Sequence, residues 1–201
     1  IAVIAITGKC PEMCGAIDPF PLIEDGDFPI PTANIGPDEA HEILCHEGEI
    51  AKIHIHSDRR DSTARNIGAT SGPQDHRILV MAHIDSKPGT PGAVDNASGV
   101  AAVLLVARLL ADHTPDLPVG VELLWVNGED NWAAPGEQAW IHDHRDALGA
   151  VALAINIDGA GCQNGTTSYS TYNVPPSIDA HIEAVCDPTP LEPGRDWYQS
   201  D

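Results

Sequence analysis

The order of apolar and polar positions changes character partway along the chain. "IAVIAI" (residues 1–6) is a continuous apolar run that reads as a buried strand, and a Pro- and Gly-rich stretch follows to about Ile35. "PDEAHEILCHEG" (37–48) predicts a helix ending at Gly48, and "EIAKIHIH" (49–56) alternates as a strand does. Residues 57–64, "SDRRDSTA", are polar without periodicity and mark a domain boundary. Beyond them "RNIGAT" and "RILVMAH" read as strands, and "ASGVAAVLLVARLLADH" as a helix of about four turns. "VGVELLWV" reads as a strand, "APGEQAWIHDHRDAL" as a helix, "AVALAINID" as a strand and "PSIDAHIEAVC" as a last helix. Strands alternating with helices predict an α/β domain, with a mixed, largely parallel sheet covered by helices on both faces.

In such sheets ligands gather beyond the carboxyl ends of the strands. The predicted strands do end in chemistry. "RILVMA" runs into His83 and Asp85, "VELLWVN" into Glu129 and Asp130, and "AVALAIN" into Asp158. The loop "GAVDNASG" adds Asp95 just before the long helix. Each residue has an ordinary explanation by itself. Asp95 or Asn96 suits a helix cap worth roughly 1 kcal/mol, a Glu–Asp pair in a loop is usually solvated, and Asp158 before a glycine is a common turn. Those explanations give no reason for carboxylates to collect at one sheet edge. Clustered carboxylates repel one another, and a divalent cation is the simplest compensation. One histidine with several carboxylates suits zinc better than an all-oxygen calcium or magnesium site.

The sequence also suggests a division of labour. Glu129 and Asp130 are neighbours and point in different directions from an extended turn, so one can ligate while the other acts as general base. Asp85 stands two residues after His83, on the same side of an extended segment. It is expected to accept a hydrogen bond from the far ring nitrogen of His83 and fix its tautomer.

Composition narrows the partners. Net charge is −20, from 30 acidic against 10 basic residues, and the only lysines are Lys9, Lys52 and Lys87. Such a surface repels nucleic acid and anionic membranes. It fits both a highly soluble protein and adaptation to high salt. No apolar run approaches the roughly 20 residues that span a bilayer, and no signal-peptide pattern is visible. The first residue, Ile1, lies inside an apolar run, as in a beginning cut from something longer. Aromatic residues are 4% of the chain, so its core must be mainly Ala, Val, Leu and Ile. The five cysteines leave at least one unpaired in a monomer, and Cys10 with Cys14 is one candidate small-loop disulfide. Cysteine usage leans slightly toward an extracytoplasmic protein.

"MAHIDSKPGTPGAVDNASGVAAVLLVARLL" closely resembles the core motif of the zinc-dependent aminopeptidases of metallopeptidase family twenty-eight, the bacterial leucyl-aminopeptidase type. "NGED" is similar to the family's acidic pair and "NIDGAG" to its later Asp motif. The resemblance covers roughly residues 62–201. It implies a zinc-exopeptidase fold in which His83, Asp95 and Asp158 bind one zinc. Asp95 would bridge to a second zinc that Asp130 also binds, with Glu129 as general base. Asp130 stands where the family usually has Glu. The family tends to have a cis peptide after the bridging Asp, expected here between Asp95 and Asn96. Asn96 or Ser98 is then left to start the helix, and Gly92 and Gly99 allow tight turns.

The first third is similar to the second half of a protease-associated domain, a non-catalytic insert. The implied organisation is residues 1–60 as a partial protease-associated domain and 61–201 as a zinc peptidase domain incomplete at its C-terminal end. The chain ends "WYQSD", before the family's last zinc-binding histidine, and its other histidines do not match that position. Cys162 reads as a buried small hydrophobe or as a lining residue of the metal pocket. The resemblance implies a peptide substrate and a secreted or extracytoplasmic location. A glutaminyl cyclase-like aminoacyltransferase and a catalytically inactive receptor-like module share the fold and remain alternatives.

Overall fold

The computed structural model describes residues 2–6, 18–19, 30–56, 61–87, 90–113, 117–131, 134–163 and 165–194. Cys10, Cys14, the start of the 57–64 boundary stretch and the closing "WYQSD" lie outside the described residues. The chain divides into two compact units, Ile1–Thr63 and Ala64–Asp201.

The first unit holds a three-stranded sheet of β1 (Val3–Ile6), β2 (Asp18–Pro19) and β3 (Thr32–Ile35), in the order β1-β3-β2. β1 and β3 run parallel, with Val3 opposite Thr32 and Ile6 opposite Ile35, and β2 is antiparallel to β3. Helix α1 (Pro37–Leu44) starts with proline in its first turn, where the missing amide is no loss. Two expectations fail in this unit. β3 lies in the Pro- and Gly-rich stretch where no element was expected, because four residues between Pro31 and Gly36 are too few to show a period. The alternating "EIAKIHIH" forms no strand. Ile50 is fully exposed, and among the described residues no strand pairs with this segment, so the alternation has no partner strand there.

The second unit is built on β4 (Ile67–Ser71), β5 (Arg77–His83), α2 (Ala97–His113), β6 (Gly120–Val126), α3 (Pro135–Asp143) and β7 (Val151–Asn156). The two-residue strands β8 (Ser168–Tyr169) and β9 (Glu192–Pro193) pair parallel, with α4 (Pro176–Cys186) between them in sequence. The main sheet has the order β4-β6-β5-β7. β5 is parallel to both β6 and β7, and β4 is antiparallel to β6. The predicted mixed, largely parallel sheet is therefore the observed one.

Alternation along β5 and β6 sends their side chains to two cores. On one face Val80, Ala82, Val121, Leu123 and Trp125 pack with Val103 of α2. On the other, Leu79, Leu124 and Val126 pack with Trp140 of α3. That second face also buries a charged pair. Arg77 Nε donates to Glu122 Oε2 at 2.7 Å, and the Trp140 indole N–H donates to Glu122 Oε1 at 2.9 Å. Arg77 is 4% exposed and Glu122 6%. The helix expected over 134–148 stops at Asp143. His144 turns back onto Trp140, its Nδ1 donating to the Trp140 carbonyl at 2.8 Å, and a 3-10 turn continues from Arg145 to Ala150. No helix among the described residues is long and apolar enough to cross a membrane.

Candidate metal centre at the strand ends

β5 and its two parallel neighbours stay tied one step past their ends. The Ile84 amide donates to the Val126 carbonyl at 2.8 Å, and the Ile157 amide to the Met81 carbonyl at 2.9 Å. His83, Asp85, Glu129, Asp130 and Asp158 thus leave the sheet at its carboxyl edge, within a few residues of the last rung.

The His83 ring is fully buried. Its Nδ1 lies 3.0 Å from the Asp85 backbone carbonyl, which can only accept, so Nδ1 carries the proton and Nε2 faces the carboxylates. Nε2 is 3.1 Å from Asp95 Oδ1, 3.3 Å from Asp158 Oδ1 and 3.6 Å from Glu129 Oε2. Burial alone pushes the His83 pKa down. The hydrogen bond to Asp158 and the charges of Asp158, Glu129 and Asp85 outweigh it and raise the value to about 10. The Asp130 carboxyl is also pushed up, first by burial and then by the charge of Asp95, while His83 and Lys87 pull it down. The His83 shift expresses the crowding of negative charge around the imidazole, and the Asp130 shift chiefly its burial.

Two sets of side chains bring ligand atoms close enough to share an ion: His83 with Asp95 and Asp158, and His83 with Glu129 and Asp130. Within each set those atoms lie within 4.8 Å of one another. One borderline nitrogen donor, with its tautomer fixed, among hard carboxylate oxygens fits zinc.

Asp85 does something other than expected. Its backbone carbonyl, not its side chain, makes the close contact with His83 Nδ1, and the nearest carboxylate oxygen stands at 3.7 Å. The carboxylate instead accepts from the amides of Glu129 at 3.2 Å and Asp130 at 3.0 Å. It caps the 3-10 turn Glu129–Asn131 and sets the backbone that carries both acidic residues.

The loop before α2 divides its tasks between neighbours. The Asp95–Asn96 peptide is cis, as the resemblance implied. Asn96, 2% exposed, accepts from the Gly99 amide at 2.9 Å and so caps α2. Its side-chain amide donates to the Ile157 carbonyl at 2.9 Å, one residue before Asp158. Ser98 donates its hydroxyl back to the Val94 carbonyl. A Cβ at Gly99 would run into the Ile157 carbonyl and the Asn96 side chain, so only glycine lets α2 approach this strand end. Gly92 has φ +62°, a left-handed turn. Cys162 is an exposed free thiol rather than a buried hydrophobe, and neither metal-competent set among the described residues includes it.

One side chain that ties backbone beside the site had no sequence signal. Asn66, read only as part of a strand, accepts from the Asn127 amide at 3.1 Å and donates to the Gly136 carbonyl at 2.7 Å. Its partners lie 61 and 70 residues away, where no local pattern reaches.

Fold and site together define a class: an α/β protein with a histidine–carboxylate cluster at the carboxyl edge of its sheet. The chain belongs to Peptidase family M28, whose model matches residues 66–196. Leucine aminopeptidase 2 of Trichophyton rubrum is 28% identical over 166 residues, which is 77% of this chain and 33% of that protein. A peptidase M28 precursor from Shewanella amazonensis has the same fold, with a TM-score of 0.63 and 23% identity over 85% of this chain and 40% of that one. A glutaminyl cyclase from Porphyromonas gingivalis superposes with a TM-score of 0.50 and 26% identity, covering 61% of this chain and 49% of that one. The chain spans only 10% to 37% of the length of the first curated relatives it matches.

Proposed function

We propose that this chain carries the catalytic centre of a zinc-dependent aminopeptidase that removes N-terminal residues from peptides. The observation that carries the reading is the buried His83 Nε2 with Asp95, Asp158 and Glu129 around it. In this reading His83, Asp95 and Asp158 would hold one zinc, and Asp95 and Asp130 would hold a second. Zinc bound there supplies Lewis acidity toward the scissile carbonyl and toward water.

The chain's own residues do the rest. Glu129, whose carboxylate lies in the cluster, takes a proton from the attacking water and delivers it to the leaving amine. Asp85 keeps Glu129 and Asp130 in register by holding their amides. His83 stays locked in one tautomer by the Asp85 carbonyl. Residues 1–60 are the partial protease-associated insert, outside the chemistry. The protein works outside the cytoplasm on peptides, and its acidic surface keeps nucleic acid and anionic membranes away.

The deciding experiment is Glu129→Gln in the zinc-loaded protein, assayed on aminoacyl p-nitroanilides. General acid–base catalysis contributes about 10²–10⁴-fold, and kcat should fall by that factor while zinc content is retained. Unchanged hydrolysis with metal bound removes Glu129 from the base role. Ring closure of N-terminal glutamine with release of ammonia, without peptide-bond hydrolysis, replaces the aminopeptidase reading by a cyclase.

A further inference from the structure

We infer that Asn66 is a positioning residue for the loop that presents Glu129 and Asp130, an inference that rests on the aminopeptidase reading of that loop. The segment from Asn127 to Gly136 leaves β6, carries both acidic residues and returns into α3. Asn66 holds its two ends together. Asn66 Oδ1 accepts from the Asn127 amide at 3.1 Å, and Nδ2 donates to the Gly136 carbonyl at 2.7 Å. The orientation of the side-chain amide is set by its partners, since an N–H needs an acceptor and a carbonyl needs a donor. Of the side chains of this length, only an amide offers one of each; Asp lacks the donor and Leu lacks both.

The junction leaves no room for slack. A Cβ at Gly136 would come within 2.6 Å of Asn66 Oδ1 and within 2.5 Å of the Asn127 carbonyl oxygen. Glycine at 136 therefore lets α3 start directly against the end of β6, and Asn66 closes the contact from the residue just before β4, which pairs with β6. Asp85 grips the middle of the same segment through the Glu129 and Asp130 amides. Asn66, just before β4, and Asp85, just after β5, thus hold backbone groups of Asn127, Glu129, Asp130 and Gly136. Asn66 acts on the reaction only through the loop.

The test compares wild type with Asn66→Ala, Asn66→Asp and Gly136→Ala in the zinc-loaded protein. Misplacing a reacting group by about an ångström costs up to about a hundredfold in rate. Positioning predicts that kcat falls about tenfold to a hundredfold in each variant, with KM within about twofold of wild type. Amide hydrogen exchange should quicken across 127–131 while β5 and the middle of α2 keep their protection. Competition of zinc against a chelator should show weaker retention of the ion that Asp130 contacts. Asn66→Asp, which keeps the acceptor for Asn127, should fall between Asn66→Ala and wild type.

Uniform loss of protection across the second unit, with kcat of the folded fraction unchanged, overturns the inference and leaves Asn66 a plain stabilising residue. Unchanged exchange at 127–131 overturns it as well. If the wild type hydrolyses no aminoacyl substrate, the functional reading fails by itself, and the exchange and zinc measurements still decide whether Asn66 holds the loop.

Discussion

The buried pair Arg77–Glu122 gives the sharpest prediction about what holds the sheet and α3 together. Glu122 offers two carboxylate oxygens, one to the Arg77 guanidinium and one to the Trp140 indole. Glu122→Gln keeps the shape but leaves one acceptor for two buried donors, and it leaves a guanidinium 4% exposed without its counter-charge. Breaking a buried pair from one side costs about 3–5 kcal/mol, a large share of the roughly 5–15 kcal/mol that holds a domain folded. With a urea slope of about 1–3 kcal/mol/M, the unfolding midpoint should drop by on the order of 2 M. Urea titrations followed by tryptophan fluorescence measure this directly. Replacing both partners, Arg77→Met with Glu122→Leu, removes the stranded charge. The double variant should lose far less than the sum of Arg77→Met and Glu122→Leu measured singly. A loss below about 1 kcal/mol for Glu122→Gln is the size expected of an exposed pair; that result, or strict additivity in the double variant, would refute the reasoning.

Two further outcomes follow from the site. In metal-free protein the His83 pKa of about 10 lies above its ordinary 6.5, so its contribution to stability is complete below about pH 6.5 and disappears as pH rises toward 10. Thermal melts in chelator should therefore show His83 stabilising less from pH 6.5 to 10, a trend absent in His83→Ala; identical profiles for the two proteins would contradict it. Gly99→Ala drives a methyl group against the Ile157 carbonyl and the Asn96 side chain. It should cost about 1–3 kcal/mol by overpacking, and zinc affinity should fall with it because Asp95 and Asp158 are carried by the two segments forced apart, which chelator competition reads.

Much of this was legible in the sequence where local pattern and tertiary role agree. β5 and β6 are apolar runs because α2 covers one of their faces and α3 the other, whereas β7, equally apolar in sequence, lies half-exposed; the long period of α2 follows Asn96, a residue suited to capping it. The convergence of His83, Asp95, Glu129, Asp130 and Asp158 was readable because parallel strands deliver their ends to one edge. What stayed hidden depends on contacts distant in sequence. Glu122 looks like a solvent-facing position in "VELLWV", yet its partner is 45 residues away and buried. Asn66 and the carboxylate of Asp85 act on backbone groups, which leave no trace in the identity of the residues they hold. "EIAKIHIH" erred the other way, since alternation describes a strand only when a neighbour pairs with it.

The central claim is that the strand-end cluster is a zinc centre. Its most direct measurement is a zinc titration of demetallated, folded protein by competition with a chelator of known affinity, run beside His83→Ala and Asp95→Ala. The account predicts saturable zinc binding that either substitution removes while the fold persists. Zinc binding unaffected by both substitutions, or no specific uptake by the folded wild-type protein, would contradict it.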